Sequence, residues 1–148
     1  SDVYFDDLYP LYLYVLGQLQ QANKLTDKAT KNCYIELILR QFEYRLLIML
    51  GYGLSFEQEI ETHQTIAQNQ YYELFDATGF VVSQYPQRAI PGQLLLDLDV
   101  LLINDISLET FAQTQLPELL KLAKQIFRAC LHRHLGDKPL KSRELFRR

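Results

Sequence analysis

The sequence predicts a mainly α protein, a helical bundle with one small β-hairpin inserted. Three observations predict it. Apolar residues recur at spacings of three and four along three long segments, as amphipathic helices require. Only one short stretch, Tyr71 to Ser83, switches to the apolar–turn–apolar pattern of a hairpin. A chain of 148 residues, 48% hydrophobic and 22% charged, can bury one sizeable core. A single domain over residues 1–148 follows, with a hairpin subdomain at about 55–92.

The first helix is expected from Asp6 or Asp7 to Gln20. Its acids suit the free N–H groups of a first turn, Pro10 is placed within that turn, and Leu8, Leu11, Val15 and Leu19 form the buried stripe. Tyr4, Phe5, Tyr9, Tyr12 and Tyr14 are many aromatics for a solvent-facing helix. Together with the absent initiator Met they suggest a piece of a longer protein, packed against an upstream domain. Asp27 starts the longest helix, running to about Leu50 and ended by Gly51 and Gly53; its wide apolar face marks a central helix covered by several neighbours. Tyr71–Phe75, the turn Asp76 to Gly79 and Phe80–Ser83 form the hairpin, which must lean on helices to be stable. Tyr85 to Gly92 reads as a loop. Residues 94–103 fit a short buried helix or a strand equally, since periodicity does not arbitrate in so short an apolar run. A short helix follows from Ser107 to Gln113. Another runs from Pro117 to about 134, with Leu119, Leu120, Leu122, Ala123, Ile126, Phe127 and Leu131 inward. Ser142 caps a final short helix.

Charge is divided sharply along the chain. Residues 121–148 hold nine Lys and Arg against two acids, Asp137 and Glu144, hence +7; residues 1–120 hold six against sixteen, hence −10; the total is −3. Such polarity gives one face for a polyanion and another that avoids it. Cys33 and Cys130 read as small buried hydrophobes in a reducing compartment. No run of eighteen apolar residues appears, and the acidic start lacks the basic region of a signal peptide, so the expected address is the cytoplasm and no membrane is involved. His132 and His134 lie two apart on a helix, some 200° apart in azimuth, and do not readily share a metal ion. There is no phosphate loop and no Ser–His–Asp set, so neither an enzyme nor a small-molecule substrate is expected.

Three segments, taken together, resemble the RecO recombination mediator family: Leu39 to Gly53, ending Leu50-Gly51-Tyr52-Gly53; the hairpin from Tyr72 to Val81; and His134 to Phe146, containing Lys138-Pro139-Leu140-Lys141-Ser142-Arg143-Glu144-Leu145. The resemblance covers nearly the whole chain apart from residues 85–106, and corresponds to the family's C-terminal helical portion without its N-terminal OB-fold. Many relatives carry two Cys-x-x-Cys pairs that hold zinc around the hairpin. The matching positions here are Glu59 and Thr62, then Ser83 and Tyr85 or Pro86, so the resemblance implies a degenerate zinc-finger-like insertion with no metal or cofactor, stabilised by Ile60, Ile66 and the hairpin aromatics.

The family implies a non-catalytic role in DNA repair and recombination in the bacterial cytoplasm, at the nucleoid. It implies binding to single- and double-stranded DNA, strand annealing, contact with the tail of single-strand-binding protein (SSB), and RecA loading with RecR. The DNA candidates are Lys121, Lys124, Arg128, Arg133, Lys138, Lys141, Arg143, Arg147 and Arg148; the bland alternative is a solvated helix face, and Arg143 can equally pair with an internal acid. The SSB tail is acidic and ends in an aromatic residue with a free carboxylate, which an apolar pocket beside an Arg or Lys would capture. Arg40 is the candidate partner, with Leu39, Phe42 and Tyr52 as walls; the alternative is an intrahelical salt bridge to Glu43 or Glu36. A scaffold with no DNA contact of its own is the competing functional reading.

Overall fold

The computed structural model describes residues 2–103 and 115–136. Four helices form the body: α1 (Asp2–Asn23), α2 (Lys28–Met49), α3 (Gly92–Ile103) and α4 (Gln115–Leu135). Three short strands, β1 (Tyr71–Phe75), β2 (Gly79–Val82) and β3 (Ile90–Pro91), make an antiparallel sheet in the order β2-β1-β3. The mainly α class with a small β insertion is therefore what the chain adopts. The helix expected at Ser107–Gln113 and the Ser142-capped segment lie outside the described residues.

Helix α1 begins at Asp2, earlier than expected, so Pro10 sits inside the helix and not in its first turn. The missing N–H removes one backbone bond there. Its buried stripe is the expected one, Leu8 and Val15 with Leu11 and Leu19 partly covered, extended by Ala22. Tyr9, Leu13 and Tyr14 stay more than two-fifths exposed.

Helix α2 is bounded as the sequence requires. Asp27 caps it, Oδ2 accepting from Thr30 N–H at 2.9 Å, and those Thr30 bonds hold the Asp27 carboxyl below its ordinary pKa. At the other end Gly51 has φ +87°, Tyr52 N–H donates to Leu47 O at 2.8 Å and Gly51 N–H to Ile48 O at 3.0 Å. That pair of bonds is a Schellman closure, which needs the left-handed residue that glycine supplies. Between its ends α2 serves two cores. Ile38, Phe42 and Leu46 pack toward α1, whereas Leu37 and Leu47 join the larger cluster with α3, α4 and the hairpin.

The larger core is built on aromatics. Phe56, Phe80 and Phe127 are each at most 1% exposed. Phe56 meets Phe80 at 5.3 Å and Phe127 edge-on at 6.3 Å, and Tyr44 reaches Phe127 at 6.1 Å, so the hairpin, α2 and α4 share one aromatic junction. Residues 94–103 resolve as helix: Leu95, Leu98, Leu101 and Leu102 are all buried, at helical spacing, which only tertiary cover on that face could decide.

The stretch expected as a loop after Tyr85 contributes β3 to the sheet, its Pro91 tolerated because it lies on an edge strand. Gly92 then starts α3 against the Ala67 carbonyl, where an added Cβ would lie 1.9 Å from that oxygen. Around the hairpin, Ile66, Tyr72 and Phe80 are buried, Ile60 lies over Gly79, and Tyr72 Oη accepts from Ala67 N–H at 2.8 Å. At the positions singled out by the resemblance, Thr62 Oγ1 donates to Glu59 Oε2 at 3.1 Å, and Ser83 Oγ accepts from Tyr85 N–H at 3.1 Å. Polar pairs thus close these two short turns. Among the described residues no group of three His, Cys, Asp or Glu could hold a metal ion, and no helix is long and apolar enough to cross a membrane.

The end of α4 clasps the hairpin turn. Asp76 and Ala77 both have positive φ (50° and 56°), a primed turn made without glycine and costing roughly 1 kcal/mol per residue. The clasp fixes it in place. His134 Nε2 lies 2.8 Å from Ala77 O, which assigns it as the donor, and Arg133 Nε pairs with Asp76 Oδ1 at 2.9 Å. Tyr52 stacks on the His134 ring at 4.2 Å.

Candidate functional site: a cationic groove between two helices

Helices α2 and α4 run side by side in the same direction. Cys33 and Leu120 line one groove, Tyr44 reaches Phe127, and Tyr52 meets His134, so residue numbers rise together along both. Between their first halves lies an open groove of about 300 Å³, lined by Asn32, Cys33, Glu36, Pro117, Leu120, Lys121 and Lys124. Its wall is mostly apolar. Its rim carries two ammonium groups.

Lys121, Lys124 and Arg128 follow one another at spacings of three and four along α4, so they form a single stripe. Lys121 and Arg128 are exposed and Lys124 half-buried. The positive potential of Arg128 and Lys124 reaches Glu43 on the facing helix. Arg133 stands apart, held by Asp76 at the hairpin turn, so the structure separates it from the stripe. Lys138, Lys141, Arg143, Arg147 and Arg148 lie outside the described residues.

Arg40 is linked to the groove through Glu36, which lines it. It is buried, with 7% of its side chain exposed, and lies between two carboxylates: Glu43 Oε1 at 2.7 Å from Nε and Glu36 Oε2 at 3.5 Å from Nη1. Neither contact is aimed as a hydrogen bond. Among the described residues, Arg40 Nε and Nη1 and Glu43 Oε1 are buried without an aligned hydrogen bond, so these two contacts are carried by charge. Burial pushes the Glu43 carboxyl above its ordinary value, opposed by Arg40 and then Arg128.

The sign of the resulting pH dependence is fixed. The folded state holds the Glu43 proton more tightly than the unfolded chain does, so its contribution to stability is full below the ordinary value of 4.5 and is lost as pH rises through the raised folded value. The expected result is that wild-type stability minus that of Glu43→Gln falls as pH rises from 4 through that window. Paired urea melts check it, and a flat difference would refute it.

The four residues expected to form the tail site are not gathered in one place. Leu39 is half-buried beside Arg40. Phe42 is buried in the α1-facing core, and Tyr52 lies about three helical turns from Arg40, against His134. Phe42 and Tyr52 are therefore structural neighbours of other elements and do not wall a pocket at Arg40. The salt-bridge alternative for Arg40 is present in full, on both Glu36 and Glu43. What sequence reasoning missed is the α4 half of the groove, Pro117 and Leu120, and the half-buried Cys33. The spacing Asn32, Glu36, Arg40 already placed one polar face on α2, but nothing in the sequence says which helix faces it.

The family model for the C-terminal part of recombination protein O matches residues 5–144. The chain is 36% identical over 112 residues to the DNA repair protein RecO of Pseudoalteromonas translucida, covering 76% of this chain and 44% of that protein. To RecO of Mannheimia succiniciproducens it is 34% identical over 124 residues, covering 82% and 49%, and to that of Legionella pneumophila (strain Lens) 31% over 140 residues, covering 95% and 52%. The chain thus spans about half the length of the curated relatives it matches. The chain, matched over nearly its whole length by that model, belongs to the RecO family and corresponds to its C-terminal region.

Proposed function

We propose that this region serves DNA repair as a binding module, without catalysis. It captures an acidic peptide ending in an aromatic residue with a free carboxylate, the chemistry of the SSB tail, and lays a DNA strand along its basic edge. The observation that supports this most is the α2/α4 groove: Cys33, Pro117 and Leu120 offer apolar wall to an aromatic ring, Lys121 and Lys124 meet acidic residues at the rim, and the lining Glu36 is paired to Arg40. An apolar pocket flanked by cations is what such a tail needs. The stripe Lys121, Lys124 and Arg128 suits phosphates of either single- or double-stranded DNA, read without base preference. Strand annealing, RecA loading and docking of RecR are carried over from the family alone, with no surface assigned to them.

The two cysteines supply the test of the peptide site. Cys130 is fully buried and burial pushes its thiol up to about 11, so it stays unreactive at neutral pH, whereas Cys33 lies in the groove wall. With the native protein, a maleimide is expected to label Cys33 alone. Saturation with a nine-residue acidic peptide ending in Phe is expected to slow that labelling at least ~5-fold, the occupied fraction being shielded. Unchanged labelling at peptide concentrations that saturate an anisotropy titration would place the peptide elsewhere; no saturable binding would refute the capture itself.

One observation favours the scaffold reading. Arg133, one of the four described cations of the basic end, is already neutralised by Asp76, and Glu36 and Glu43 border the remaining stripe. If DNA does not bind at low salt, the module is a protein-interaction scaffold.

A further inference from the structure

The groove contains its own carboxylate. Glu36 lines it, 42% exposed, and its Oε2 stands 3.5 Å from Arg40 Nη1, a long contact not aimed as a hydrogen bond. Glu43 holds the other side of the guanidinium at 2.7 Å and is much less exposed, at 16%. The two acids are therefore not equivalent. Glu43 is largely buried, whereas Glu36 is an exposed side chain with several rotamers available in water, resting against Nη1, which makes no aligned hydrogen bond among the described residues.

We infer that Glu36 is an internal competitor for the carboxylate site: in the free protein it occupies the groove-side face of Arg40, and an incoming terminal carboxylate displaces it. The inference rests on the peptide-capture reading and specifies its chemistry. A ligand carboxylate placed at Arg40 with Glu36 still in position would put two like charges about 4 Å apart beside one cation, which is unfavourable at low dielectric. Glu36 must swing toward solvent or toward Lys121 and Lys124, which line the same groove. Selectivity follows from this exchange. Displacing Glu36 costs a ligand that seats its terminal carboxylate on Arg40 and costs nothing to one that does not reach Arg40, so Glu36 weakens the former, leaves the latter unaffected and moderates the preference for a free chain terminus.

The test is an anisotropy titration of the native protein with two fluorescein-labelled acidic peptides, identical except that one ends in Phe with a free carboxylate and the other in its amide. Glu36→Gln, at an exposed side chain, keeps the shape and removes the charge. The expected result is a several-fold tightening for the carboxylate peptide and no more than a twofold change for the amide. A variant that tightens both equally shows only that a negative charge near two lysines was removed, and overturns the inference. So does a variant that changes neither. If wild-type protein binds neither peptide, the capture reading itself fails. Arg40→Lys supplies an independent arm: it retains a cation over Glu43 but loses the forked donor, and is expected to abolish the preference for carboxylate over amide. A preserved preference in a variant with wild-type circular dichroism would also overturn the inference.

Discussion

Phe127→Ala is expected to destabilise the domain by about 3–5 kcal/mol, the usual cost of emptying an aromatic site in a core that does not collapse. The site meets that condition. Phe127 has no exposed surface and stands where three elements meet, within 6.1 Å of Tyr44 on α2 and 6.3 Å of Phe56, which in turn packs on Phe80 of the hairpin at 5.3 Å. The hairpin is also clasped to α4 by His134 and Arg133, so its aromatic face is held away from the vacated volume. Since a domain of this size has roughly 5–15 kcal/mol in total, the variant would sit near the edge of folding. A urea melt measures the effect; a loss below about 1 kcal/mol would show that the junction relaxes and that the hairpin does not depend on α4.

The combined variant Lys121→Ala, Lys124→Ala and Arg128→Ala is expected to reduce the salt dependence of single-strand binding by about two in the log–log slope, at ~0.7 for each phosphate no longer neutralised. Spacing is the reason: three cations on one helix face can track successive phosphates, which scattered charges do not. Arg133→Ala is the internal control. Arg133 is exposed but paired to Asp76 at the hairpin turn, away from the stripe, and its removal is expected to leave the slope nearly unchanged. Filter binding between about 50 and 200 mM salt separates the two variants. Equal slopes for the triple variant and the wild type would assign strand binding to residues other than this stripe.

Much of the fold was legible because it depends on local chemistry. Asp27 and Gly51 mark the ends of α2 by capping and by left-handed backbone, both properties of a few adjacent residues. The stripe of α1 and the inward face of α4 follow from period alone. Where the expectation failed, the deciding interaction was remote in sequence. The N-terminal boundary of α1 was placed late because Pro10 was assigned to a first turn. The stretch through Pro91 was read as a loop, yet Ile90 and Pro91 find a partner in β1, some twenty residues earlier. The ambiguity at 94–103 was physical, since a short apolar run satisfies a buried helix and a buried strand equally until its neighbours are fixed.

The candidate site shows the same division more sharply. Arg40 and its two acids share one helix face, so their mutual pairing was readable as an intrahelical possibility, and the Lys121–Lys124–Arg128 stripe was readable as an exposed arc. Phe42, beside Arg40 in the chain, and Tyr52 were expected as pocket walls; the structure turns one toward α1 and stacks the other on His134. By itself the sequence determined a helical body, a small hairpin, a basic end and family membership, because composition, period and motif are properties of the chain. Only the tertiary structure decided that α4 lies parallel to α2 and that Glu36, the ion-pair partner of Arg40, lines the open groove between them. A groove is a relation between two surfaces, and which surfaces meet is settled by burying the Phe56–Phe80–Phe127 junction, not by either helix alone.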